Sequence, residues 1–129
     1  MCPVFDTACS KISSNPNNKR IERWPDVIAI GTAKCGTGSL SFIDCHPNVV
    51  FREYEADFFM YSDDHQNLHE YEIPHAAVDE ILIEKSPQYL YGTVEKLRHR
   101  AQRMIQMNPD LKILIFVCDP VKRYNAIPP

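Results

Sequence analysis

The feature richest in chemistry is a lysine set among small residues: Val27-Ile28-Ala29-Ile30 leads into Gly31-Thr32-Ala33-Lys34-Cys35-Gly36-Thr37-Gly38-Ser39-Leu40. A buried strand, a small-residue turn and a helix start leave backbone N–H groups unpaired and pointing outward, and the helix dipole adds partial positive charge. A phosphate can replace the missing partners, with Lys34 supplying a full charge. This is not the ATP-binding loop, because the lysine precedes Gly36 where that loop places it after the final glycine. A small kinase-like protein is the weaker reading for the same reason, and no magnesium-binding partner is evident. Taken alone, the segment also fits a tight turn carrying a surface lysine. Lys85 follows another apolar strand, the usual place for functional residues in an open parallel sheet.

The elements that must position these groups follow from the pattern. Val27–Ile30 reads as a buried parallel strand, and Leu40, Phe42 and Ile43 ahead of His46-Pro47 read as a short helix. Val49–Phe51 and Ile81–Ile83 are further strands. Phe58 to Tyr61 can pack on the core, and Ser62 to His75 reads as irregular. Val94, Leu97, Ala101, Met104 and Ile105 recur at helical spacing up to Asn108-Pro109, which predicts an amphipathic helix with its bases outside. Leu111 to Val117 is the longest apolar run and is expected to be a central strand, with Asp119-Pro120 opening another helix. Strands alternating with helices predict an α/β fold: an open parallel sheet with flanking helices and right-handed crossovers. Residues 1–24, polar and aperiodic, read as a flexible lead-in, and 25–129 as one domain.

Composition narrows the function. At 129 residues, 44% apolar content and a net charge of −3, the chain holds one domain, and its pI of about 5.9 argues against a dedicated nucleic-acid binder. No apolar run approaches the roughly 20 residues of a membrane helix, and the first residues lack the pattern of a secretory signal. Charge is unevenly spread: Asp44 to Glu84 carries eleven acids and one base, whereas Thr93 to Pro129 carries seven bases and three acids. The acidic middle is expected to be a solvated surface. Five cysteines (Cys2, Cys9, Cys35, Cys45, Cys118) are odd in number and irregular in spacing, so no zinc site is predicted. Cys2 and Cys9 are candidates for a mutual disulfide, and the other three are expected to be small core residues.

Several blocks in order carry a family likeness. Gly31 to Leu40, His46-Pro47-Asn48-Val49-Val50, Glu55 to Phe59, Glu84-Lys85-Ser86-Pro87 with Tyr89, Met107-Asn108-Pro109 and Asp119-Pro120-Val121-Lys122-Arg123 resemble the heparan sulfate sulfotransferases. The likeness is greatest to the glucosamine 3-O-sulfotransferases and runs from about Pro25 to Arg123. It implies a P-loop-like nucleotide-binding sulfotransferase fold, here a partial domain truncated at its C-terminus. It further implies sulfuryl transfer from 3′-phosphoadenosine 5′-phosphosulfate to a glucosamine hydroxyl of heparan sulfate, without a metal and in the Golgi lumen. Lys34 matches the lysine at the leaving phosphate, and Cys35, Gly36, Thr37, Gly38 and Ser39 match the loop around the 5′-phosphate, Thr37 as a side-chain donor. Glu55 matches the proposed general base and Lys85 a supporting lysine near base and acceptor.

The departures are as specific as the matches. Cys35 stands where the family has glycine, and Asp57 where it has histidine, a negative charge beside the base that is expected to raise the base's pKa. Cys118 and Ala126 stand where the resemblance places an arginine and a serine for the donor's 3′-phosphate, each charge-assisted contact being worth about 1.5–3 kcal/mol. Lys122 and Arg123 are the nearest candidates to compensate. A non-catalytic remnant of the fold, binding nucleotide or glycan weakly or not at all, is the alternative expectation.

Overall fold

Val27–Gly31 forms strand β1, the hub of the sheet, with Ile28 and Ala29 wholly buried. The computed structural model describes residues 19–52, 54–61, 71 and 75–126. Strands β2 (Val49–Phe51), β3 (Ile81–Lys85) and β4 (Lys112–Ile115) complete a parallel sheet in the order β2-β3-β1-β4. Val27 sits opposite Ile83 on one side and Lys112 on the other. Helix α1 spans Val94–Met107 and α2 spans Pro120–Asn125, with 3₁₀ turns at Thr37–Cys45, Phe58–Met60 and Pro87–Leu90.

This order places a functional crevice. The connection after β1 passes over β3 to reach β2, whereas the connection after β3 passes over β1 to reach β4. Adjacent strands whose connections leave in opposite directions define a switch point, and ligands of open α/β sheets bind outside the carboxyl ends of such strands. The residues there are those after Gly31 and after Lys85.

The core is aromatic. Phe58, Phe59, Tyr71 and Tyr89 join Ile28, Val50 and Leu82, each fully buried large apolar side chain contributing about 1.5–3 kcal/mol. Trp24 lies 5.5 Å from Tyr71 and 6.1 Å from Phe58 between ring centroids. Although the flexible lead-in was expected to run through Trp24, its last residues are docked. Arg20 pairs with the buried carboxylate of Glu80 at 2.7 Å, and Ile21 bridges to Ala76. Residues 1–18 of that lead-in, and most of the stretch expected to be irregular, lie outside the described residues.

Four expectations need correction. β4 is an edge strand, all four of its residues exposed, because an apolar run encodes a strand without encoding which neighbours it receives. In α1, Lys96 and Arg98 face outward as expected, but Arg100 and Arg103 are buried. Arg100 donates to the carbonyls of Tyr89 and Tyr91, and Arg103 donates to that of Tyr61 while lying 5.4 Å from the Phe59 ring centroid. These guanidinium groups satisfy carbonyls left unpaired by irregular segments, and Val94 and Ile105 are exposed instead. The acidic middle is only partly solvated, since Glu80 and Glu84 are 3% and 0% exposed. Cys35, Cys45 and Cys118 are not core thiols: Cys45 is exposed and disulfide-bonded, and Cys35 and Cys118 form a disulfide across 83 residues of sequence, with Cα atoms 5.3 Å apart.

Candidate active site

At the switch point lies a cleft of about 480 Å³. It is lined by Ala33, Lys34, Gly36, Thr37 and Gly38 of the loop together with Glu55, Pro87, Gln88 and Ala126. Gly31 delivers the chain into this loop at φ 138°, where an added Cβ would meet the Pro87 carbonyl oxygen at 2.9 Å and Leu90 Cδ1 at 3.0 Å. Lys34 (φ 65°) and Gly36 (φ 82°) turn left-handed on either side of Cys35. The amides of Cys35 and Ser39 turn inward to the carbonyls of Thr32 and Gly36, and the Ser39 hydroxyl also donates to Gly36. Among the described residues, the amides of Gly36, Thr37 and Gly38 have no carbonyl partner. A Cβ at Gly38 would meet nothing within 4 Å, so the backbone there lies open to close approach.

Lys85 Nζ stands 3.4 Å from Glu55 Oε1, the lysine side chain 13% exposed and the carboxylate 38%. The segment bearing Glu55 is fastened to β3 by a buried network. Glu84 accepts from Tyr71 Oη at 2.9 Å, from the Ser86 hydroxyl and from the Ala56 amide, and Ser86 Oγ accepts from the Asp57 amide at 3.0 Å. Burial raises the Glu84 carboxyl to about 7 despite those donors. Asp57 is also raised, by burial first and then by the charge of Glu55; its Oδ1 is buried without a hydrogen-bond partner.

The chain is similar to known sulfotransferases. The mouse and human heparan sulfate glucosamine 3-O-sulfotransferases 3B1 are each 33% identical over 124 residues, 94% of this chain and 30% of theirs. The mouse 3-O-sulfotransferase 6 is 32% identical over 115 residues, 87% of this chain and 31% of its own. A sulfotransferase structure from Alicyclobacillus acidocaldarius superposes with a TM-score of 0.62 at 26% identity, covering 80% of this chain and 48% of that one. The chain belongs to the sulfotransferase family. No family model matches it, and it spans less than a third of the length of these curated relatives.

The cleft gathers Lys34, Gly36, Thr37, Gly38 and Glu55, and Lys85 enters through its ion pair with Glu55. Two predicted loop residues are otherwise engaged, Cys35 by its disulfide and Ser39 by the Gly36 carbonyl. Arg123 donates to the Ala33 carbonyl at 3.0 Å and to Tyr91 Oη at 3.3 Å, which places a guanidinium against the loop. Sequence reasoning missed Gln88 and the Glu84–Ser86–Tyr71 network. A signal existed for the network, since Glu84 and Ser86 alternate with Lys85 and a period of two sends them to the opposite face.

Proposed function

We propose that this chain carries the donor-binding and base-bearing part of a sulfuryl-transfer site, with 3′-phosphoadenosine 5′-phosphosulfate as donor and a glucosamine hydroxyl of heparan sulfate as acceptor. The observation that carries the reading is that Lys34 and Glu55 face a single cleft at the sheet's switch point, with Lys85 ion-paired to Glu55. The open amides of Gly36, Thr37 and Gly38 suit the 5′-phosphosulfate end of the donor, whose role is to supply the transferable sulfuryl group.

In such a transfer an acceptor hydroxyl attacks sulfur, the sulfur–oxygen bond to phosphate breaks, and negative charge grows on the phosphate oxygen. Lys34 and the loop amides neutralise that charge, a type of contact worth about 10²–10³ in rate. Glu55 takes the hydroxyl proton, worth about 10²–10⁴. Lys85 holds the Glu55 carboxylate in place. A lumenal compartment such as the Golgi accords with the Cys35–Cys118 bond, since disulfides persist where conditions are oxidising.

The test is calorimetric titration with adenosine 3′,5′-bisphosphate, repeated on Lys34→Ala, followed by a sulfate-transfer assay on heparan sulfate with Glu55→Gln. Binding that vanishes with Lys34 supports the reading. Absence of binding in a folded sample overturns it and favours a second reading, a fold remnant without catalysis. That second reading rests on Cys118, bonded to Cys35 instead of offering a guanidinium, and on Ala126 at the cleft margin, where a hydroxyl is expected.

A further inference from the structure

The loop that carries Lys34 is fastened to the segment following β4 by the Thr32 amide, which donates to the Phe116 carbonyl, and at two further points. Cys118 is bonded to Cys35, and Arg123 in α2 donates to the Ala33 carbonyl. The covalent point falls at the loop's most constrained place, because Cys35 lies between two left-handed residues, Lys34 and Gly36, which both line the cleft. Lysine adopts that conformation at a steric cost, so something outside the loop must hold it there. The amides without a carbonyl partner among the described residues belong to the next three residues. Inside the loop, the Cys35 and Ser39 amides and the Ser39 hydroxyl are tied back.

We infer that the Cys35–Cys118 disulfide is a positioning link: it holds Lys34 and the Gly36–Gly38 amides in the arrangement that grips an anionic ligand, and cutting it weakens the grip without dissolving the sheet. The inference rests on the proposed donor-binding role of the cleft. Both half-cystines are only half-buried, so a small dithiol can reach them. In that reaction a reductant thiolate attacks one sulfur, the Cys35–Cys118 bond breaks, two cysteine thiols form, and the dithiol leaves as its own cyclic disulfide, two electrons having passed to the protein.

Cys45 is also disulfide-bonded, so a reductant alone is not selective. The experiment therefore compares the wild-type chain with the Cys35→Ser/Cys118→Ser double variant, each with and without dithiothreitol. It reads hydrogen exchange of the peptide covering residues 32–40 in the absence of ligand, and calorimetric affinity for adenosine 3′,5′-bisphosphate. The expected result is about ten-fold faster exchange in that peptide and about five-fold weaker binding in the double variant, with β1 and β3 protection retained. Dithiothreitol should bring the wild type to the same values, leave the double variant unchanged, and be reversed by reoxidation. Equal loop exchange in the two proteins overturns the inference, as does a uniform loss of protection across the sheet, which marks a general staple. A dithiothreitol response that persists in the double variant also overturns it, by assigning the effect to Cys45. If the oxidised chain binds no nucleotide, the proposed function fails, and the loop-exchange comparison alone decides whether the link positions Lys34.

Discussion

Lys85 Nζ approaches Glu55 Oε1 to 3.4 Å although the two residues come from different layers of the site, one closing β3 and the other preceding the Phe58–Met60 turn. The pair joins the strand that frames the switch point to the carboxylate that faces Lys34. Its value is chemical more than structural. With Glu55 38% exposed, solvent screens the attraction, and such pairs stabilise by less than about 1 kcal/mol. A double-mutant cycle with Glu55→Gln and Lys85→Met should give a folding coupling of that size, shrinking in high salt, while Glu55→Gln lowers sulfate transfer about 100-fold or more. A coupling of several kcal/mol in urea titrations would make the pair a structural staple.

Glu84 predicts a pH dependence with a definite sign. Its carboxyl is raised to about 7 in the folded chain against 4.5 as the ordinary value, so between those limits the folded state retains a proton that the unfolded state has released. The associated stability is fully present below about pH 4.5 and lost as pH climbs through 7, a change of roughly 3 kcal/mol at most. Glu84→Gln, which resembles the protonated acid, should flatten the dependence of unfolding free energy on pH across that window. An unchanged slope would show that Glu84 does not titrate there.

Asp57 is raised in the same direction and keeps one buried oxygen unpaired. Its backbone is left-handed at φ 49°, a conformation asparagine tolerates well. Asp57→Asn should therefore stabilise the chain at pH 7 by about 0.5–1 kcal/mol, with the gain fading in acid as the wild-type carboxyl takes up its proton. Chemical denaturation at pH 7 and pH 4 checks both statements, and a destabilised variant at pH 7 would refute the first.

Gly31→Ala should be costly. The new methyl group would stand 2.9 Å from the Pro87 carbonyl oxygen at a φ of 138°, so backbone strain and a clash coincide at the entrance to the loop. A loss of at least about 2 kcal/mol is expected. A midpoint in urea equal to wild type would mean that the Pro87–Leu90 turn yields freely.

Much of the scaffold was legible because its signals are local. The β-branched runs at Val27–Ile30, Val49–Phe51 and Ile81–Ile83 became strands, and the helical spacing from Val94 to Ile105 became α1. The loop was legible from glycine and lysine. Glu55 was a different matter: one acid among eleven between Asp44 and Glu84, it stood out only through the family's ordered blocks. What stayed hidden depends on distant partners. Arg100 and Arg103 are indistinguishable from surface bases until the carbonyls of Tyr61, Tyr89 and Tyr91 arrive from other segments. An odd set of irregularly spaced cysteines likewise carries no connectivity, so the pairing of Cys35 with Cys118 emerges only once β1 and β4 lie side by side.

That pairing turns most of the molecule into a covalent ring. From Cys35 the polypeptide runs through β2, β3, α1 and β4 before returning to its starting point at Cys118. A single protease nick anywhere along this circuit leaves both pieces attached, and they travel as one band in electrophoresis until a thiol is added. The loss of function after such a cut would reflect altered shape, because no piece has departed.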